Sequence, residues 1–318
     1  MDDPRVEFGV RTSKPRFYHR IATDPGSAAP TLWSIIRTVS ASSRLPAERA
    51  LVRAPAVAGR FYPGEPEVLQ RLVADLLAGA AADSPSAIAL LVPHAGYVYS
   101  GGVAGAVFSR AHIPERVILL GPNHTGMGPP LSLWDRGVWE FPGGRIPVEE
   151  ELGCRLKEEC PELIPDPAAH RYEHALEVQL PFLAMRQPRV RIVPVVVGTS
   201  RRESLESLGG ALARAIRGAQ EKVLLVISSD MTHYEPSIEA ERKDRLAIAA
   251  MEALDHESLQ RVVKREGISM CGYAPAVAGL VAAQEMGAHG GRLIRYAHSG
   301  QVSGDEASVV GYAGMIFS

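Results

Sequence analysis

The chain has 318 residues, 46% of them hydrophobic and 22% charged, with a formal net charge of −2. That is the composition of a soluble globular protein with ample material for a large core. The balanced charge, with no run of Lys or Arg, gives no footing for a nucleic-acid partner. No apolar stretch approaches the roughly 18 residues of a membrane span. The three cysteines, Cys154, Cys160 and Cys271, are too few and too odd in number for a disulfide framework, so the chain reads as cytoplasmic.

Residues 1–52 differ from the rest. They are rich in Arg, Ser and Pro and show no sustained period of 2 or 3.6. They read as a disordered leader or as a start assigned too early. No Met lies between Met1 and Met127, so a non-standard start near Leu51 or Val52 fits. A targeting peptide is opposed by Asp2, Asp3, Glu7 and Asp24. From residue 53 to 318 the pattern is that of one α/β domain. Residues 66–77 form a helix by apolar spacing, and 87–92 a continuous apolar, buried strand. A small-residue helix follows over 101–110, where Ser100-Gly101-Gly102 would open it and offer a weak anion site. Strands are expected at 116–120 and 131–134, and a helix at 149–158. Residues 173–185 read as a helix ended or kinked by Pro181. Then come a strand at 190–197, a helix at 201–217, a strand at 222–228 and helices at 239–254, 257–265 and 275–285. Strands at 292–297 and 308–317 close the chain. Apolar strands alternating with helices imply a sheet covered on both faces.

Ligands of such sheets bind beyond the carboxyl ends of the strands. Three expected strands end alike, in Pro93-His94-Ala95-Gly96-Tyr97, in Gly121-Pro122-Asn123-His124-Thr125 and in Ser228-Ser229-Asp230-Met231-Thr232-His233-Tyr234. Each sets a His close behind a strand. Two His with a third protein ligand make a mononuclear metal site with open positions. Cys271, Asp230 and His233 compete for the third place. Cys271 lies just before a helix start, which lowers a thiol pKa. Cys154 and Cys160 read as packing residues of a helix. Glu173, His174 and Glu177 would share a helix face, either solvated or serving to orient the ligands and move protons. Tyr296 to Gly300 and Asp305 read as a polar loop after a strand.

Taken in order, these segments, together with Ala58-Gly59-Arg60-Phe61-Tyr62-Pro63, Glu173-His174-Ala175-Leu176-Glu177-Val178-Gln179-Leu180-Pro181-Phe182 and Cys271-Gly272, resemble the Memo family over residues 53–318. The resemblance implies a three-layer α/β/α fold with a mostly parallel or mixed sheet, related to the class III extradiol dioxygenases. It also implies metal ligation by His94, His124 and Cys271, with Asp230 and His233 in the same pocket. Prokaryotic members are grouped with an AMMECR1-like protein and a radical SAM protein, as system protein B, which makes those proteins the expected partners beside an unidentified small molecule or peptide. Animal relatives carry His where Thr125 and Gln179 stand here, so those neighbours' roles do not transfer. Two neutral His and a thiolate suit iron, copper or zinc, with Fe2+ the first expectation. His233 would act as acid or base, oriented by Asp230. A non-catalytic binding module and a zinc hydrolase using Glu177 as base remain open.

Overall fold

The computed structural model describes residues 51–79 and 87–318. The rest of the expected leader, residues 1–50, lies outside the described residues. The elements in chain order are β1 (Val52–Arg53), α1 (Pro66–Leu77), β2 (Ala89–Val92), α2 (Tyr97–Phe108), β3 (Arg116–Pro122), β4 (Leu131–Leu133), β5 (Val138–Phe141), β6 (Gly144–Pro147), α3 (Glu150–Glu159), β7 (Ile164–Pro165), α4 (Ala168–Arg171), a 3-10 turn (Glu177–Gln179), α5 (Leu180–Arg186), β8 (Arg191–Val197), α6 (Arg202–Arg217), β9 (Val223–Ser228), β10 (His233–Glu235), α7 (Ser237–Glu252), α8 (His256–Glu266), α9 (Tyr273–Glu285), β11 (Gly291–His298), α10 (Gly300–Ser303) and β12 (Val309–Phe317).

Among the described residues nine strands form one mixed sheet in the order β10-β12-β2-β9-β3-β8-β4-β7, with β11 also paired to β12. The middle four, β2, β9, β3 and β8, run parallel. Strands β12 and β4 flank them antiparallel. Successive side chains of a strand point to opposite faces, and both faces here are apolar. Leu91, Ile118, Leu120, Val193, Leu225 and Ile227 pack into one core with α3, α6, α7, α8 and α9. Leu90, Val117, Leu119, Ile192, Leu224 and Val226 pack into another with α1, α2 and α5. Helices on two faces of a buried sheet give the three-layer α/β/α architecture. Register sets Val92 level with Ser228 and Leu120 level with Ile227, so the carboxyl ends of β2, β9 and β3 reach the same edge.

The structure corrects four local expectations. Helix α2 begins at Tyr97, so Ser100-Gly101-Gly102 lies inside it and is no helix N-terminus. Strand β11 runs on through His298, held in register by β12, and α10 starts at Gly300, so the expected polar loop is ordered structure. Cys154 is exposed, whereas Cys160 is buried at the end of α3. A second small sheet, β1-β5-β6, was not expected at all. Its Trp139 is fully buried.

Candidate metal centre

His94 follows β2 by two residues, His124 follows β3 by two, and Asp230 follows β9 by two. Cys271 lies one residue before Gly272, the cap of α9. A Cβ on Gly272 would lie 2.4 Å from the carbonyl oxygen of Ser228, so only glycine lets this turn lie against the end of β9. The remaining wall is the irregular segment 172–176. Its carboxylate Glu173 accepts the amide of Ala175 at 2.9 Å, a local bond that competes with a helical ladder. The expected helix therefore starts only at Leu180, and Pro181 sits in its first turn, where a missing N–H costs nothing. Glu173 and Glu177 share no helix face.

His94 is 1% exposed. Its Nδ1 lies 2.9 Å from Ser228 Oγ. That hydroxyl donates its one proton to the Ala175 carbonyl at 2.7 Å and accepts from Gln179 Nε2 at 3.0 Å. Toward the imidazole it can only accept, so Nδ1 carries the hydrogen and Nε2 keeps its lone pair. Burial, helped by the charge of His124, pushes the His94 pKa down to about 3 and keeps the ring neutral, as ligation requires.

His124 is tied in the same way. Glu173 accepts its ring Nδ1 at 2.9 Å and its backbone N–H at 2.6 Å, which again leaves Nε2 as the outward nitrogen. A carboxylate on the far nitrogen fixes the ring and raises its basicity. Burial works against both charges, but their hydrogen bond and mutual attraction prevail. The Glu173 pKa falls to about 2 and that of His124 rises.

His174, which a helix face would have turned elsewhere, stacks on His124 with ring centroids 4.6 Å apart and meets His94 edge-on at 5.3 Å. One nitrogen from each of His94, His124 and His174 falls within 4.8 Å of the others. These three His could form a metal site. Burial, and then the charge of His94, pushes the His174 pKa down to about 4, so it too is neutral. Cys271 stands outside that triple but places Sγ 3.1 Å from His94 Nε2. Burial, then the negative charge of Asp230, pushes its thiol pKa up. The expected lowering by a helix N-terminus is outweighed because the sulfur is desolvated. Burial also raises the carboxyl of Asp230. Two neutral imidazoles, His124 held at Nδ1 by Glu173, and a buried thiol and carboxyl form a donor set that a divalent cation fits, displacing the Nε2 proton of His124 where that ring is charged.

The other expected site residues fall into place as follows. Asp230, 5% exposed, accepts the backbone N–H groups of His94 and Ala95 at 2.7 and 3.3 Å, so it fixes the His94 turn. His233 opens β10 and is half-buried. Its Nδ1 bonds the Ser269 carbonyl at 2.9 Å, leaving Nε2 free. The ring is thus oriented by Ser269, not by Asp230 as expected. Glu177 is fully buried, and its oxygens take up Arg53, two backbone amides and Tyr62. It has no capacity left for a base. Sequence reasoning left His174 out of the ligand set, although the quoted Glu-His pair was its signal.

The family model described as "Memo-like protein" matches residues 53–316. A MEMO1 family protein of Aquifex aeolicus is 46% identical over 268 residues, covering 84% of this chain and 99% of its own length. MEMO1 family protein MK0963 of Methanopyrus kandleri is 38% identical over 278 residues, covering 83% and 98%. A solved structure titled as an uncharacterized protein from Escherichia coli K12 covers 71% of this chain and 98% of its own, with 16% identity and a TM-score of 0.47.

Proposed function

The chain belongs to the Memo-like protein family, and from that premise we propose that it binds one redox-active divalent metal on His94, His124 and Cys271. The observation that carries this reading is the matched pair of tautomers. Ser228 and Glu173 each hold an imidazole by Nδ1, and this leaves two Nε2 lone pairs for a common ion. His174 could add a third nitrogen, the fourth donor of the set. Two or three imidazoles and a sulfur select iron, copper or zinc over the hard alkaline-earth ions. Iron is the first choice, on the resemblance to extradiol dioxygenases, which is an analogy of fold. Bound there, iron would supply Lewis-acid and one-electron chemistry. His233, with Nε2 free, is the group suited to hold or move a substrate proton. A thiol where the dioxygenases place a carboxylate weighs against ring cleavage and toward another redox reaction.

A second reading is favoured by the same thiol: the pocket holds metal without turning over, as a module of the AMMECR1 and radical SAM system. A zinc hydrolase is disfavoured, because it needs a free carboxylate base and Glu177 is saturated. The test is elemental analysis of protein purified without oxygen or added metal, beside the His94→Ala/Cys271→Ala variant. Near-stoichiometric iron that is lost in the variant supports the reading. Zinc in its place moves the weight to a non-redox role. Absence of metal from both samples overturns the proposal.

A further inference from the structure

We propose that Arg53 is a positioning residue of the metal centre: its guanidinium fixes the irregular wall of the site that carries Glu173 and His174. This rests on the metal-binding reading above. The wall is the segment from His170 to Glu177, which carries both Glu173 and His174. Between α4 and the 3-10 turn it has neither helix nor strand to hold it. Arg53, 1% exposed, reaches it from β1 at three points. Nε donates to the His170 carbonyl at 2.8 Å, Nη2 to the Glu173 carbonyl at 2.5 Å and Nη1 to the Glu177 carboxylate at 2.7 Å. The guanidinium is also seated over the Trp139 ring, 4.3 Å from its centroid, so the unexpected β1-β5-β6 sheet is its bed.

The geometry assigns more than bulk stability. A buried charge pair can be replaced by packed hydrophobes with little loss of stability. What hydrophobes cannot do is hold two backbone carbonyls and a carboxylate in one plane, which the rigid five-donor fork of arginine does. Of those carbonyls, one belongs to Glu173, whose side chain binds His124 Nδ1 at 2.9 Å. Arg53 therefore stands one residue's length from the group that orients a ligand. Glu177 completes the clamp by accepting Ala56 N–H at 2.8 Å, Val57 N–H at 3.0 Å and Tyr62 O–H at 2.6 Å. The first ten residues of the matched region, Arg53 to Tyr62, are thereby tied to the site wall.

The test compares Co2+ binding by wild type, Arg53→Lys and Leu212→Ala. Leu212 is buried in α6 on the other face of the sheet and serves as a control for destabilisation alone. Lysine keeps the charge opposite Glu177 but cannot serve all three acceptors in a plane. The expected result is a Kd for Co2+ raised about 10- to 100-fold in Arg53→Lys, with an altered cobalt ligand-field spectrum. Leu212→Ala should melt earlier yet bind as wild type does. If Arg53→Lys does not fold, Glu177→Gln replaces it, with the same direction of change expected. Wild-type affinity and spectrum in the folded Arg53 or Glu177 variant overturn the assignment. An equal loss in Leu212→Ala overturns it as well. Wild type that takes up no Co2+ overturns the metal reading itself, a result distinct from the other two.

Discussion

Replacing Glu173 by Gln tests whether an ionised carboxylate anchors the site. Against the effect of burial, the hydrogen bond and charge of His124 and the amide of Ala175 push the Glu173 carboxyl from 4.5 down to about 2. A carboxylate depressed on folding contributes stability that is fully present above the unfolded pKa and drains away as pH falls toward the folded one. The shift from 4.5 to about 2 is worth about 3 kcal/mol at 1.36 kcal/mol per pH unit, and about 2 kcal/mol of it survives at pH 3.5. The raised pKa of His124 is the same interaction viewed from its partner, so it is counted once. His94 and His174, pushed down to about 3 and about 4, also take up protons in this range. The Glu173 charge is a lesser cause in both, raising each, so their share opposes the narrowing and leaves the shift of Glu173 itself as the larger effect. Urea unfolding of both proteins between pH 5.5, below the raised pKa of His124, and pH 3.5 should show a gap of about 3 kcal/mol that narrows to about 2 kcal/mol. A gap that stays constant, or that widens in acid, refutes the reasoning.

Three further outcomes follow from the same geometry. Cys271→Ala should abolish sulfur-to-metal charge-transfer absorption in the Co2+ protein, while His174→Ala should keep that band and alter only the ligand field; a band that persists in Cys271→Ala would remove its sulfur from the ligand set. Gly272→Ala forces a Cβ to within 2.4 Å of the Ser228 carbonyl oxygen, so it should displace Cys271 and lower metal affinity by about tenfold or more, measured by competition with a chelator. Glu177→Ala leaves Arg53 buried without its counter-charge and should cost about 3–5 kcal/mol, read from chemical denaturation.

The strand ends were legible in the sequence because a continuous apolar run broken by Gly or Pro has a local cause. That logic placed His94, His124 and the loop from Ser228 to His233 along one edge, and the ladders of β2, β9 and β3 do level those ends. Other features depend on partners far away in the chain. Residues 173–185 have helical spacing, yet Glu173 bonds His124, 49 residues away, and Arg53 holds its carbonyl from 120 residues away. No local period encodes such a choice. The Cys271 thiol shows the same conflict, since a neighbouring helix start argues for a low pKa and burial beside Asp230 reverses it. The β5-β6 hairpin was different: Val-Trp-Glu-Phe, then Pro-Gly-Gly, then Arg-Ile-Pro carries alternation and a turn, but its strands have only four residues each.

Two of these failures share a location. Every element misjudged along 138–147 and 173–179 touches Arg53 or the groups it holds: Trp139 under its guanidinium, Glu173 through its carbonyl, Glu177 through its carboxylate. Regular elements follow from local spacing because their backbone bonds are made within the segment or along a ladder. A wall built without a ladder must borrow its bonds from side chains elsewhere, and here the lenders are Arg53, Ser228 and Tyr97. Local rules are expected to fail where a site is shaped by such long-range bonds. The failure therefore marks the segment whose shape the His cluster depends on, and it does so independently of which metal the cluster holds.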